Sequence, residues 1–194
     1  VSEAPSVARI LGEAEQRFAA AGYGGTSLSS VAKAAGLGNA GLLHHFPSKA
    51  ALYRAVLEAV GADIDDRMVA AMVDGTDPVD RLRALTGVLV ELGEDRPTAL
   101  RLVMHEFLDD SGRLERASVL PLAGAVRTTV GVIRDGQAAG EVVDGDPLAL
   151  LARLHGTIFY GLLGQTVLGR IHTDPAPGWE ARLVDVALEG LIIT

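Results

Sequence analysis

Residues 26–49 read TSLSSVAKAAGLGNAGLLHHFPSK, two short apolar-spaced runs separated by glycine. Thr26 or Ser27 is placed to cap a short helix that turns Leu28, Val31, Ala32 and Ala35 inward. Gly36 stops that helix and permits the backbone geometry of a tight turn. A second short helix covers Asn39 to His45 and is closed by Phe46-Pro47. The spacing of Val31-Ala32, Gly36, Leu37, Leu42 and Phe46 packs the two as a crossed pair, with Ala32 allowing close approach. A pair built this way leaves the outer face of its second helix free to enter a DNA major groove.

On both sides of this segment helical spacing continues, and no convincing strand alternation interrupts it. Upstream, Ser6 is placed to cap a helix whose apolar stripe is Val7, Ile10, Leu11, Ala14 and Phe18, ended by Gly22 with Gly24-Gly25 as connection. Downstream, Ser48 caps a longer helix with Leu52, Val56, Leu57, Val60 and Ile64 on one side. Asp74-Gly75-Thr76-Asp77-Pro78 breaks the pattern, and Asp77 followed by Pro78 is a helix start. Leu82, Leu85, Leu89 and Leu92 stripe the helix that follows. Pro97 opens another, ending near Asp109-Asp110-Ser111-Gly112. A long helical stretch then runs to about Gly136, with Pro121 as a kink or split. Gly140 to Gly145 form a turn, and Asp146-Pro147 repeats the start signal. The helix from 147 to about 169 is apolar on most sides. A Pro-rich loop, His172 to Gly178, leads to a last helix over 179–193.

Composition bounds the rest. The 194 residues are 48% apolar, enough for a sizeable core, with few aromatics. There is no cysteine, which excludes disulfides and thiolate metal sites and fits a reducing compartment. No stretch approaches the ~20 uninterrupted apolar residues of a membrane span, and no signal-like segment opens the chain. A cytoplasmic protein with no membrane partner is the expectation. Net charge is −8, but it is unevenly spread. Residues 1–60 carry five basic and four acidic side chains, and the remainder twelve and twenty-one. An acidic body would be held off DNA while a near-neutral head approaches it.

The ordered set of Phe18, Gly22-Tyr23, Thr26-Ser27, Val31-Ala32, Ala35-Gly36-Leu37, Leu42, His44-His45-Phe46, Ser48-Lys49 and Leu52 resembles the DNA-binding domain of the TetR family of repressors over roughly the first 57 residues. The C-terminal helices are similar in length and pattern to the family's ligand-binding domain. The resemblance implies roles position by position. Thr26 or Ser27 would bond a phosphate, and Ser29 and Ser30 would reach backbone or base edges. Gly38, Asn39, Ala40 and Gly41 open the recognition helix. His44 would contact phosphate or the groove edge, and Lys49 would bind phosphate as a point charge. Asn39 is the best base reader, because its amide can pair bidentately with adenine. Leu43 stands where the family usually has a phosphate-binding tyrosine, and Gly38 where it has a hydroxyl cap. Asn39 replaces a position that is often charged. Together these departures remove phosphate contacts and weaken salt-dependent binding. For Leu43, surface drift and contact with a thymine methyl are both open.

Several apolar-helix residues have two readings. Met104, His105, Glu106 and Phe107, and His155 with Phe159 four residues on, either fill the core or face a cavity and orient a ligand. Met68 and Met72 suit either an adaptable pocket or an ordinary core. Leu151, Leu154, Ile158, Gly161, Leu162 and Gln165 on the 147–169 helix, with Val184, Leu188 and Leu191 on the last helix, are candidates for a four-helix dimer interface of the kind the family uses. Burial inside one protomer is the alternative. His44 and His45 point about 100° apart on a helix and do not easily share a metal ion. The sequence carries no H-E-x-x-H, no G-x-x-x-x-G-K and no cysteine nucleophile, so an enzyme is not expected and no cofactor or metal is called for.

The expectation is therefore an all-α protein of about nine helices. Residues 1–50 form a three-helix helix-turn-helix DNA-binding domain, and 51–194 a ligand-binding and dimerisation domain. Its partners would be a double-stranded palindromic operator, a small apolar effector and a second copy of itself, with a repressor favoured over an activator. The reading from another class is an all-α small-molecule-binding protein or enzyme whose N-terminal helices are scaffold.

Overall fold

The computed structural model describes residues 3–73, 75, 77–108, 123–171, 178–179 and 182–193. Among them the chain forms nine α-helices, and its one β feature is an isolated bridge between Val142 and Ile192. The helices are α1 (Glu3–Gly25), α2 (Leu28–Ala34), α3 (Asn39–His45), α4 (Lys49–Met72), α5 (Pro78–Asp95), α6 (Pro97–Leu108), α7 (Ala123–Ala139), α8 (Pro147–Ile171) and α9 (Leu183–Leu188). The architecture is all-α with an N-terminal helix-turn-helix. No described helix is long and apolar enough to cross a membrane. The helix end expected at Asp109–Gly112, the kink at Pro121 and most of the loop from His172 lie outside the described residues.

The chain divides into two compact units. The first comprises Val1–Ala62 and Thr98–Pro121, described here over 3–62 and 98–108. Ile10, Ala14 and Phe18 are fully buried at four-residue spacing along α1. They share the unit with buried Val31, Ala32 and Ala35 from α2, Leu42 from α3, and Leu52, Val56 and Leu57 from α4. α1 begins before Ser6, which therefore lies inside the helix and is not its cap; Pro5 sits in the first turn, where its missing N–H costs nothing. Gly22 interrupts α1 with φ +67°, a left-handed backbone that glycine adopts without strain. α6, far along the chain, also belongs to this unit. Thr98 of α6 donates a hydrogen bond to Glu15 of α1 at 2.6 Å.

The second unit comprises Asp63–Pro97 and Leu122–Thr194. Its helices start on the expected signals. Asp77 accepts from the Asp80 N–H at 2.8 Å, and Asp146 accepts from the Leu148 N–H at 2.7 Å, each cap preceding a proline. The Leu82, Leu85, Leu89 and Leu92 stripe of α5 is buried to within 1%. Each such leucine contributes roughly 1.5–3 kcal/mol of burial. α5 packs on α7, α8 and α9. The close packing depends on glycine at two points. A Cβ on Gly136 would stand 2.5 Å from the Val142 side chain, and one on Gly161 would stand 2.7 Å from Leu183.

Two boundaries differ from expectation. α7 runs on past Gly136 to Ala139, where Gly140 turns the chain with φ +72°. The last helix is short, ending at Leu188 and not at 193. Gly190 takes φ +69°, and Leu191–Ile193 then run extended beside Glu141–Val143. Val143 donates to the Leu191 carbonyl and Ile193 to the Glu141 carbonyl, both at 2.9 Å. This antiparallel pairing satisfies backbone groups that a continued helix would have used, so the apolar Leu191-Ile192-Ile193 is a strap and not a helix end.

Candidate nucleic-acid interface

The turn between α2 and α3 is fixed by backbone chemistry. Gly36 has φ +68° and donates to the Lys33 carbonyl, while Leu37 donates to the Ala32 carbonyl at 2.8 Å. That pair of bonds is a Schellman motif, and it needs a residue free to adopt positive φ. Leu42, completely buried, pins the inner face of α3. The outer face is thereby set: Asn39, Ala40, Leu43 and His44 are all exposed, Leu43 by 45%. Positions 39 and 43, 40 and 43, and 40 and 44 lie one turn apart, so the four residues share a face. Gly38 precedes them, exposed and with no side chain to cap the helix. Gly41 is half-buried against Leu37.

The serines at the start of α2 are held by local hydrogen bonds. Ser27 is the N-cap of α2, accepting from the Ser30 N–H at 3.1 Å. The Ser29 hydroxyl lies 3.1 Å from that of Ser27, and Ser30 donates to the Ser27 carbonyl at 2.7 Å. Ser27 and Ser29 are exposed and Ser30 is half-buried.

Thr26 must be corrected. It is only 5% exposed, and its hydroxyl faces the carbonyls of Arg17 at 3.1 Å and Gly22 at 2.9 Å. It closes the end of α1, whose last carbonyls lack helical partners, and is turned away from any phosphate.

Lys49 is braced in a way the sequence did not indicate. Its ammonium sits 4.5 Å from the centroid of the Tyr23 ring and donates to the Gly24 carbonyl at 3.4 Å. The ring face attracts the cation while leaving it half-exposed. Tyr23 meets Tyr53 edge-on at 5.0 Å, and Tyr53 meets Phe18 at 4.7 Å. The Tyr53 hydroxyl donates to Glu106 of α6, which is 5% exposed. Glu106 is thus a satisfied core carboxylate of the first unit. The only sequence signal for this was a tyrosine one turn after Lys49 and an acidic residue in an apolar helix.

The candidate effector residues fall in different units. Met104 is half-buried and Phe107 is 60% exposed on α6 of the first unit. Met68, Met72, His155 and Phe159 lie in the second. Met68, His155 and Phe159 are buried, Met72 half-buried, and the His155 and Phe159 rings stand perpendicular at 6.0 Å. Burial pushes the His155 imidazole down to about 4, so it is neutral at neutral pH. An open groove of about 550 Å³ in the second unit, lined by Val79, Arg83, Asp185, Val186, Leu188 and Ile192 among others, contains none of these six.

The candidate dimer residues divide by burial. Leu151, Leu154, Ile158, Gly161, Leu188 and Leu191 are buried within a single chain, because α8 packs on α5, α7 and α9. Leu162 and Val184 are half-buried and Gln165 is exposed. The exposed stripe of α8 is a different one: Ala152, Gly156, Tyr160 and Val167, with half-buried Leu163 between the last two.

Residues 10–56, which run from α1 into α4, match the family model described as bacterial regulatory proteins, tetR family. The chain is 35% identical over 99 residues to the HTH-type transcriptional regulator RutR of Escherichia coli K12, a match covering 51% of this chain and 46% of RutR. It therefore spans about half the length of that relative. A transcriptional regulator of Streptomyces coelicolor superposes with a TM-score of 0.71 at 25% identity, covering 95% of this chain and 97% of that one. FadR of Bacillus subtilis, in complex with stearoyl-CoA, superposes with a TM-score of 0.76 at 17% identity over 95% and 98% of the two chains. The matched segment coincides with the helices that carry the exposed α3 face, and the likeness in fold extends over nearly the whole chain: over residues 10–56 the chain is similar to the tetR family of bacterial regulatory proteins.

Proposed function

We propose that this protein is a DNA-binding transcriptional regulator, a repressor that acts as a homodimer on a palindromic operator and is released by a small apolar effector. The observation that carries the reading is the outer face of α3, where Asn39, Ala40, Leu43 and His44 stand exposed on a helix pinned by a buried Leu42. A dimer would present two such helices to successive major grooves, about 34 Å apart. Ser27, Ser29 and Lys49 flank the face as phosphate contacts. The basic groups are few, so binding is salt-dependent with a shallow slope.

The dimer interface is the exposed stripe of α8, centred on Gly156, Tyr160 and Leu163. A Cβ on Gly156 would meet nothing within 4 Å, which leaves room for close approach by a second copy. The effector site draws on Met68, Met72, His155 and Phe159 in the second unit, whose apolar character favours an apolar molecule. A regulator of the same fold in complex with stearoyl-CoA is a precedent for that chemistry. α4 supplies residues to both units, so an effector that binds one arrangement of it better shifts the population and changes operator affinity. The coupling is reciprocal: operator DNA weakens effector binding by the same factor. Such a protein works in the cytoplasm, with the DNA it reads.

The test is selection from randomised duplex DNA at moderate salt, followed by sequencing of the retained fraction. A palindromic consensus with two half-sites one turn apart is expected. Recovery of no enriched sequence overturns the reading.

A further inference from the structure

The outer face of α3 contains something a phosphate-binding or hydrogen-bonding surface does not need. Ala40 and Leu43, one turn apart on the same face, are both exposed, Leu43 by 45%. Leu42 beside them is already fully buried, so the core does not require a second leucine here. A leucine on a solvent-facing helix has no hydrogen-bonding role. In a B-form major groove the apolar group displayed on a base edge is the C5 methyl of thymine.

We propose that Leu43, with Ala40 at its side, reads thymine through its C5 methyl and is a specificity-determining residue for the operator. The inference rests on the reading that α3 enters the major groove. Asn39 lies four residues before Leu43 on the same face, about 6 Å along the helix axis. That spacing is on the scale of two base-pair steps of about 3.4 Å. An adenine paired by the Asn39 amide and a thymine methyl covered by Leu43 then fall two base pairs apart within one half-site. The exchange has a physical logic. Leucine at this position forms no bond to the backbone, so affinity for arbitrary DNA falls. Apolar contact with a methyl depends on which base is present, so discrimination rises.

The experiment uses the operator selected as described above and replaces each of its thymines, one position at a time, by deoxyuridine. Uracil keeps every hydrogen-bonding group of thymine and lacks only the methyl. With the full-length protein, substitution at one position per half-site is expected to weaken binding about fourfold for each half-site, the loss from one uncovered methyl. Substitution elsewhere leaves affinity unchanged. In the Leu43→Ala variant the sensitive position becomes indifferent to the methyl, and its thermal unfolding matches the parent because the side chain is exposed. A palindrome that binds equally well with thymine or deoxyuridine everywhere overturns the inference and leaves the regulator reading standing. So does a half-site without thymine, or a Leu43→Ala variant that still loses fourfold. If no palindrome is selected at all, both fall.

Discussion

The two units differ in how their helices know which way to face. In the first, α2 and α3 are seven residues each and are oriented by local chemistry. Gly36 forces a turn, Ser27 caps α2, and one buried leucine fixes α3. In the second, α8 is 25 residues long and apolar nearly all round. Nothing local selects its inner face, and α5, α7 and α9 make the choice. A short helix with punctuation carries its orientation in its own sequence, whereas a long, uniformly apolar one borrows it from neighbours.

Mutating the two faces of α8 separately distinguishes a borrowed orientation from a local one. Leu154→Ala removes a side chain that is 1% exposed and should lower unfolding free energy by about 3 kcal/mol in urea titration. Tyr160→Glu, at a position 71% exposed, should leave the urea midpoint nearly unchanged and convert the dimer to a monomer by sedimentation. If Leu154→Ala separates the protomers without loss of stability, the inner and outer faces have been assigned the wrong way round.

A smaller effect tests how tightly the second unit is closed. His155 is 6% exposed, and its folded pKa of about 4 lies below the ordinary 6.5. The unfolded chain therefore binds the extra proton first as pH falls. Stability is fully present above about 6.5, declines through the window to about 4, and is level below it. Between pH 7 and pH 5 the loss should be about 2 kcal/mol, and His155→Phe should abolish that part of the slope. A wild-type slope that survives the substitution would assign the titration to another group.

How far each unit was legible follows from the same difference. The turn at Gly36, the caps at Asp77 and Asp146, and the bounds of α3 at Asn39 and His45 were all readable, because each depends on residues within one turn, whereas the cap of α2 stayed open between Thr26 and Ser27 until the structure gave Ser27. The exposed face of α3 was readable for the same reason. Thr26 was not, since its hydroxyl closes α1 through carbonyls four and nine residues back. The end of the last helix was also missed. Leu191-Ile192-Ile193 has the composition of either a helix end or a strand, and the partner that settles it is Glu141–Val143, some fifty residues upstream. For α8 the sequence left a dimer interface and burial inside one protomer both open, because apolar content identifies burial without saying against what.

The smallest effect concerns the membership of α6 in the first unit, which chain order conceals. Tyr53 on α4 donates to the buried Glu106 on α6. Tyr53→Phe keeps the ring that packs on Phe18 and Tyr23 but deletes the donor, leaving a buried carboxylate oxygen short of a partner. The expected cost is about 1–2 kcal/mol in urea titration. Glu106→Gln retains a carbonyl oxygen that still accepts from Tyr53 and should cost less than Tyr53→Phe. The order of the two variants matters more than either magnitude. If Glu106→Gln costs more, the carboxyl group has a second role beyond accepting from Tyr53. If both are silent, α6 is held to the first unit by its apolar side chains and Thr98 alone. If the order is as expected, one polar contact ties α4, the helix that begins with the braced Lys49, to a helix fifty residues further on. A polar tie of that kind joins helices far apart in the chain, and its trace in the sequence is no more than an acidic residue on an apolar helix, which must find a partner when buried.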